Sequence, residues 1–246
     1  MTALILQGRL DSTRLPRKSL LPLEGEPLIY RVMEALAFVP AGRRILACPE
    51  DCEAAFRPLA ERAGFEVVTG PKEDVLARYC RAVRLTGAVR VIRATADNPY
   101  VFADAAAALA EEAAALDADY AGYAGLPLGA GVEAVKAEAL LRAEREASLR
   151  SEREHVCPYL YHHPEKFRLH RPLAPLIWQA PHGKPERQDG VNPFRLTVDT
   201  EADYRRAREL YRGLHAGSCS EPYRGETILL RAAELPLTVN PAEAPR

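Results

Sequence analysis

The chain has 246 residues, of which 33 are basic and 34 acidic, so its formal net charge is −1. This balance excludes a general binder of nucleic acid or of membrane surfaces, because such proteins carry a surplus of cations. No apolar stretch approaches the ~20 residues that span a bilayer, and the first residues do not resemble a signal peptide, so we expect a cytoplasmic protein with no membrane span.

Predicted strands and helices alternate along the chain. A strand at residues 3–6 leads into a basic loop, and Pro27 suits the first turn of a helix. Further strands are predicted at 44–48, 65–68, 88–94, 119–124 and 195–198. A helix is predicted between a cap at Asp51 and its end at Gly64, and further helices at 72–86, 104–116, 136–145, 152–162 and 201–214. The alternation predicts an α/β fold with a mainly parallel mixed sheet flanked by helices.

The loop after the first strand reads QGRLDSTRLPRKSL and concentrates positive charge. Its four cations, opposed only by Asp11, are Arg9, Arg14, Arg17 and Lys18. Guanidinium and ammonium groups donate charge-assisted hydrogen bonds to phosphates, so the loop suits a polyphosphate ligand. The Walker A spacing is absent, and a solvated basic turn is an equally good interpretation of the loop alone.

Two aspartates follow predicted strands. Asp97 ends the apolar run in IRATADNPYV, and Asp199 follows RLTV, where Thr200 and Asp203 form a capping-box pattern for the next helix. Ligands of such sheets bind beyond the carboxyl ends of the strands, and Mg²⁺ is usually held by one or two carboxylates plus substrate phosphates. Basic loop and aspartates together therefore predict a nucleotidyl-transfer site.

The loop resembles that of the spore-coat polysaccharide biosynthesis F-type cytidylyltransferase family, which is related to the CMP-Kdo and CMP-sialic acid synthetases. Further matching segments are EDVLARY, IRATADNPYV, DADYAGY, GAGVEAV, SEREHVCPYLYHHPEKF and LTVDTEADY, and together they span about residues 3–212. The resemblance implies a Rossmann-like nucleotide-diphospho-sugar transferase fold. It also implies transfer of CMP from CTP to a sugar with release of pyrophosphate, and we expect an acidic sugar that serves surface polysaccharide or glycan assembly.

The resemblance also implies the residues of the site. Arg14 and Lys18 would be catalytic, and Asp97 and Asp199 would hold Mg²⁺. The nucleotide would bind Gln7, Arg9, Ser12, Thr13, Arg14, Lys18, Arg78 and Asp97, and the acceptor sugar would bind Glu133, Arg153 and His155. We expect a nucleotidyltransferase domain at 1–215, a C-terminal extension at 216–246 packed on it, and a homodimer. Its partners would be a nucleoside triphosphate and a sugar, with no nucleic acid.

Three residues depart from the family pattern, namely Asp11, Arg17 and Ala96, and they keep a non-catalytic nucleotide-binding protein as an alternative. A second alternative is a metal-dependent glycosyltransferase that uses a nucleotide sugar. It would need Asp117 and Asp119 as metal ligands, because DAD imitates the D-x-D pattern of those enzymes. We interpret these two aspartates instead as the junction between a helix and a strand.

Overall fold

The structure is a computed structural model that describes residues 1–180, 194–216 and 221–235. No helix in these ranges is long and apolar enough to cross a membrane. Residues 181–193, and residues 217–220 and 236–246 of the expected C-terminal extension, lie outside the described residues.

A seven-stranded sheet forms the centre of the described part of the chain. In chain order, the strands of the described residues, inside and outside this sheet, are β1 Thr2–Gln7, β2 Pro22–Leu23, β3 Glu26–Pro27, β4 Arg43–Pro49, β5 Glu66–Gly70, β6 Arg90–Thr95, β7 Tyr120–Ala121, β8 Glu133–Lys136 and β9 Leu169–His170. Their order in the sheet is β5-β4-β1-β6-β8-β7-β9, and β2 and β3 form a separate hairpin. Only β8 runs antiparallel to its neighbours β6 and β7, which confirms the predicted mainly parallel mixed sheet.

Helices cover both faces of the sheet. They are α1 Leu28–Leu36, α2 Glu53–Arg62, α3 Val75–Thr86, α4 Ala103–Ala115, α5 Ala137–Glu146, α6 Arg150–His155, α7 Pro158–His162, α8 Glu201–His215 and α9 Gly225–Glu234, with 3₁₀ turns at Lys18–Leu20, Glu50–Cys52 and Leu176–Trp178. The predicted capping box of α8 is confirmed, because the Asp203 amide donates to Thr200 Oγ1 over 3.2 Å and the Thr200 amide donates to Asp203 Oδ2 over 2.9 Å.

The two faces of β1 lie in different parts of the core. Leu4 and Leu6 pack in a buried cluster with α1, α2 and α4, whereas Ala3 and Ile5 pack with α3, α5 and α7. Successive side chains of a strand point to opposite faces, so the alternate residues of this short apolar run bury both sides of the sheet. The result is a helix–sheet–helix sandwich, which confirms the predicted α/β class.

A third buried cluster joins α8 and α9 to the loops near the sheet edge. Leu210 of α8 packs in this cluster with Ile228 and Leu229 of α9. Trp178 contacts the cluster, and its Nε1 donates to Asp104 Oδ2 over 2.9 Å. The described part of the C-terminal extension, residues 221–235, therefore packs on the remainder of the chain.

Three of the predicted elements are corrected by the structure. Residues 195–198 form no strand and bend at Thr197, because the Leu196 and Val198 amides donate to loops rather than to the sheet. The single helix predicted at 152–162 is two helices, since Val156 has a φ of 74° and Pro158 begins a new helix. The predicted strand at 119–124 shrinks to β7, and β8 was not predicted.

Candidate active site

A cleft of about 590 Å³ opens at the carboxyl ends of β1 and β6. It is bounded by the basic loop that follows β1, the turn that follows β6, and the extended segment before α8. Its lining includes Gln7, Arg9, Ser12, Thr13, Arg14, Lys18, Arg78, Arg93, Asp97, Glu154, His155 and Asp199. The cleft therefore brings together the predicted nucleotide-binding and metal-binding residues at the sheet edge where α/β proteins bind ligands.

Lys18 lies between the two predicted metal ligands. Its ammonium group donates to Asp97 Oδ2 over 3.0 Å and to Asp199 Oδ1 over 2.9 Å. A third hydrogen bond reaches the carbonyl oxygen of Val198 over 2.9 Å. An ammonium group has three N–H donors, so this one arrangement uses all of them.

The backbone explains how Asp199 reaches Asp97, which is distant in sequence. Asp97 follows β6, and its carbonyl oxygen accepts a hydrogen bond from the Val198 amide over 2.8 Å. The Leu196 amide likewise donates to the carbonyl oxygen of Leu128 over 2.8 Å. These bonds dock the extended segment onto two loops and place its aspartate at the cleft.

Asp199 is surrounded by cations. Arg14 lies 3.0 Å from Asp199 Oδ1, and Arg195 contacts Asp199 Oδ2 over 2.5 Å. Partial burial acts to raise the pKa of Asp199, but the hydrogen bond from Lys18 and the neighbouring positive charges outweigh it and hold the pKa below its ordinary value. Asp199 is therefore a carboxylate that binds cations at neutral pH.

The donor set of Asp97 and Asp199 fits a hard divalent cation. Carboxylate oxygens suit Mg²⁺ and Mn²⁺, and such ions are commonly held by one or two carboxylates together with phosphate oxygens. Within residues 1–180, 194–216 and 221–235, no group of three or more His, Cys, Asp or Glu side chains forms a metal cluster. A cation at these two aspartates would therefore take its remaining ligands from water or from the substrate.

Three residues that line the cleft each carry a buried polar atom without a partner among the described residues, namely Gln7 Oε1, Arg78 Nε and Arg93 Nε. The Arg78 guanidinium is otherwise fixed, since its Nη1 donates to the carbonyl oxygens of Pro71 over 2.6 Å and Lys72 over 2.9 Å. Burial lowers the pKa of Arg78. A buried donor and a buried acceptor that lack partners are costly unless a ligand satisfies them.

Arg93 is a cleft residue that the sequence analysis missed. It lies directly opposite Glu133 in the pairing of β6 with β8, and its Nη1 forms an ion pair with Glu133 Oε2. Tyr120 donates to the other Glu133 oxygen over 2.8 Å. Arg93 Nε is buried with no partner in the described chain, while Glu133 does not line the cleft.

Of the other two residues predicted to bind the acceptor sugar, His155 lines the cleft and Arg153 does not. His155 lines the cleft beside Glu154. Arg153 does not line it, because its guanidinium turns towards Asp74 and its Nε donates to Asp74 Oδ2 over 2.7 Å. Its Nη1 also donates to the carbonyl oxygens of Glu144 and Ala147, so Arg153 joins α6 to the ends of α3 and α5.

The structure shows the surroundings of the three residues that depart from the family pattern. Asp11 forms an ion pair with Lys72, which also lies 3.1 Å from Asp51, so its negative charge is compensated. Arg17 is exposed and has a φ of 51°, where it precedes the 3₁₀ turn. Ala96 is buried beneath the cleft, and its amide donates to the carbonyl oxygen of Gln7 over 2.9 Å.

Asp117 and Asp119 lie at the opposite edge of the sheet. Asp117 accepts hydrogen bonds from Arg90 over 3.1 Å and from Lys136 over 2.7 Å. Arg90 begins β6, whereas the cleft lies at its end, roughly 16 Å away at about 3.3 Å per residue. The interpretation as a junction between α4 and β7 is confirmed.

The sequence as a whole identifies the family. A sequence model of the cytidylyltransferase family matches residues 3–218. The chain belongs to the cytidylyltransferase family. It is 29% identical over 233 residues to the spore coat polysaccharide biosynthesis protein SpsF of Bacillus subtilis, with 92% of each chain covered.

Solved structures of similar proteins show the same fold. A cytidylyltransferase from Leptospira borgpetersenii superposes with a TM-score of 0.77 at 21% identity, covering 93% of this chain and 92% of that one. A CMP:2-keto-3-deoxy-manno-octonic acid synthetase in complex with CTP superposes with a TM-score of 0.63 at 15% identity, covering 85% and 98%. Both the family and the fold that the sequence resemblance implied are thus confirmed.

Proposed function

We propose that this cytidylyltransferase transfers CMP from CTP to a hydroxyl group of an acidic sugar and releases pyrophosphate. The observation that supports this most strongly is the contact of Lys18 with both Asp97 and Asp199, beside Arg14, in one cleft. Four residues from three distant parts of the chain thus provide both cations for phosphates and carboxylates for a metal ion.

In the proposed reaction the sugar oxygen forms a bond to the α-phosphorus of CTP, and the bond from that phosphorus to the bridging oxygen of pyrophosphate breaks. The hydroxyl proton passes to solvent. Charge repulsion opposes attack on a polyanion, so the main task of the protein is to neutralise and align the phosphates. Arg14 and Lys18 perform this task by donating to oxygens of the α-phosphate and the leaving group.

Asp97 and Asp199 would hold Mg²⁺ in this proposal. A bound divalent ion supplies Lewis-acid polarisation of a phosphoryl oxygen. The side chains of Gln7 and Arg78 would bind the nucleoside through their unpartnered buried atoms, and Arg9, Ser12 and Thr13 would contact the phosphates from the loop. In this proposal the nucleotide would lie over β1 and the loop that follows it.

The acceptor would then lie over β6, where Arg93 and His155 line the cleft. Arg93 Nε has no partner among the described residues, and a carboxylate or hydroxyl oxygen of a sugar that reaches this guanidinium could accept from it. Glu133 would act through Arg93, because it holds that guanidinium without lining the cleft. An acidic acceptor of this kind agrees with the role in surface polysaccharide assembly that the sequence resemblance implied.

The proposal is tested by measuring pyrophosphate release from each nucleoside triphosphate with a panel of sugars that includes 3-deoxy-manno-octulosonate, N-acetylneuraminate and neutral hexoses. CTP with Mg²⁺ and an acidic sugar should release pyrophosphate, and Asp97→Asn or Asp199→Asn should lower the rate by about 100-fold or more. Asp117→Asn is the matched control and should retain the wild-type rate. Loss of activity in the control, with Asp97→Asn fully active, would instead favour a glycosyltransferase that uses the D-x-D aspartates.

A further inference from the structure

The contacts of Lys18 raise a conflict between two parts of the proposed function, on which this inference rests. All three N–H groups of its ammonium donate to Asp97, Asp199 and the Val198 carbonyl oxygen. No donor is left for a phosphate while these bonds persist. A divalent cation held by the two carboxylates would also have to share them with the Lys18 ammonium, which contacts one oxygen of each.

We propose that Lys18 and a divalent cation compete for Asp97 and Asp199, and that Lys18 moves from these carboxylates to the triphosphate when cation and nucleotide bind together. Two positive charges cannot share the same pair of oxygens at about 3 Å without strong repulsion. The lysine stem is long and flexible, so its ammonium can exchange one set of oxygen acceptors for another.

The burial of the three groups supports the competition. The side chains of Lys18 and Asp199 are each 15% exposed, and that of Asp97 is 30% exposed, so solvent screens their interaction only partly. Two neighbouring carboxylates repel each other when no cation lies between them. Lys18 therefore keeps the pair together and holds the cleft in shape.

Neither of the two arginines at Asp199 bridges the two carboxylates as Lys18 does. Arg14 contacts only Asp199 of the two carboxylates, and its side chain is 64% exposed. Arg195 approaches the other oxygen of Asp199, Oδ2, and also contacts Asp203. Removing either guanidinium changes the charge near one carboxylate but leaves the bridge intact, which makes Arg195 a matched control for Lys18.

The movement of Lys18 from the carboxylates to the phosphates couples the binding of the cation to the binding of the nucleotide. The free enzyme binds a divalent cation weakly because Lys18 must first be displaced, and phosphates lower that cost because they give Lys18 new acceptors. Coupling between two ligands is reciprocal, so the cation strengthens nucleotide binding by the same factor. Coupling free energies in proteins typically correspond to about 5- to 150-fold in affinity.

The test measures Mn²⁺ binding to the enzyme without nucleotide, by the electron paramagnetic resonance signal of free Mn²⁺. We expect Lys18→Met to bind Mn²⁺ about tenfold or more tightly than the wild type, and Lys18→Arg and Arg195→Met to remain within about threefold of it. Adding Asp97→Asn to Lys18→Met should abolish the gain. Circular dichroism checks folding, and Lys18→Gln, which can still donate to the carboxylates, replaces the methionine variant if that does not fold.

Unchanged or weaker Mn²⁺ binding in a folded, uncharged Lys18 variant would overturn the exchange. This readout needs neither acceptor nor turnover, so it is separate from the proposed reaction. An enzyme that transfers CMP but shows no gain in Mn²⁺ affinity would refute the exchange alone. A gain in Mn²⁺ affinity without transfer to any sugar would refute the proposed reaction alone.

Discussion

Substituting Gly129 by alanine should displace the segment that carries Asp199. Gly129 has a φ of +95°, and a Cβ built on it would lie 2.5 Å from the Thr197 nitrogen and 2.8 Å from the Leu196 carbonyl carbon. Non-bonded heavy atoms prefer about 3.5 Å or more, so the segment would have to move by roughly 1 Å. Overpacking of this kind costs about 1–3 kcal/mol, and the positive φ adds about 1–2 kcal/mol.

Gly87→Ala measures the cost of the positive φ without the cost of overpacking. Gly87 ends α3 with a φ of +65°, and a Cβ there would meet nothing within 4 Å. Urea denaturation should therefore show a loss of unfolding free energy of about 1–2 kcal/mol for Gly87→Ala and about 2–5 kcal/mol for Gly129→Ala. Calorimetry should show CTP affinity weakened by about tenfold or more in Gly129→Ala only, because a small misplacement of a binding group is costly. Equal losses of stability with equal CTP affinity would refute the described docking of Asp199.

Three further predictions follow from other contacts. Lys72→Ala removes the ion-pair partner of Asp11 in the basic loop and should raise KM for CTP by up to about fivefold, since exposed ion pairs contribute about 0–1 kcal/mol; Asp11→Ala in the same chain should reverse the increase. Glu133→Gln should raise KM for the acceptor without changing KM for CTP, because it loosens Arg93, and equal changes in both would contradict this positioning role. Hydrogen bonds from Tyr159, Arg142 and Lys166 lower the pKa of Glu146 from 4.5 to about 2. The stability that this carboxylate provides is therefore complete above pH 4.5 and lost as the pH falls towards 2; urea midpoints should show a shallower acid decline in Glu146→Gln, and an unchanged decline would contradict the assignment.

The parts of the site that are local in sequence could be predicted. The basic loop directly follows an apolar strand, and Asp97 follows another, so the general rule for parallel sheets placed both at one edge. The resemblance to a known family added the identity of the nucleotide, which charge and spacing alone left open. Lys18, Arg14, Asp97 and Asp199 lie together in the structure as this reasoning requires.

The parts that depend on pairing between distant segments could not be predicted. Polar and apolar residues alternate over 195–198, which is the pattern of a strand, but the Leu196 and Val198 amides donate to the carbonyl oxygens of Leu128 and Asp97 in loops. Arg93 reads as a charged interruption of an apolar strand, and only the antiparallel pairing with β8 reveals Glu133 as its partner. An arginine within an otherwise apolar strand was the available signal that a buried ion pair or a ligand was near.

The break between α6 and α7 could have been predicted from Pro158, although the residues around it have a helical pattern. Pro158 lacks a backbone N–H and favours the first turn of a helix rather than its middle. The structure begins α7 at this residue. His155 therefore ends α6 at the cleft, instead of lying within one continuous helix.

The central claim is that Asp97 and Asp199 form one site with Arg14 and Lys18 for a nucleoside triphosphate and its metal ion. Calorimetric titration with CTP and Mg²⁺ tests it most directly, with the double variant Asp97→Asn/Asp199→Asn compared with Asp117→Asn. We expect the wild type and Asp117→Asn to bind CTP equally, and the double variant to bind it at least about tenfold more weakly when Mg²⁺ is present. Equal CTP affinity in all three proteins would contradict it.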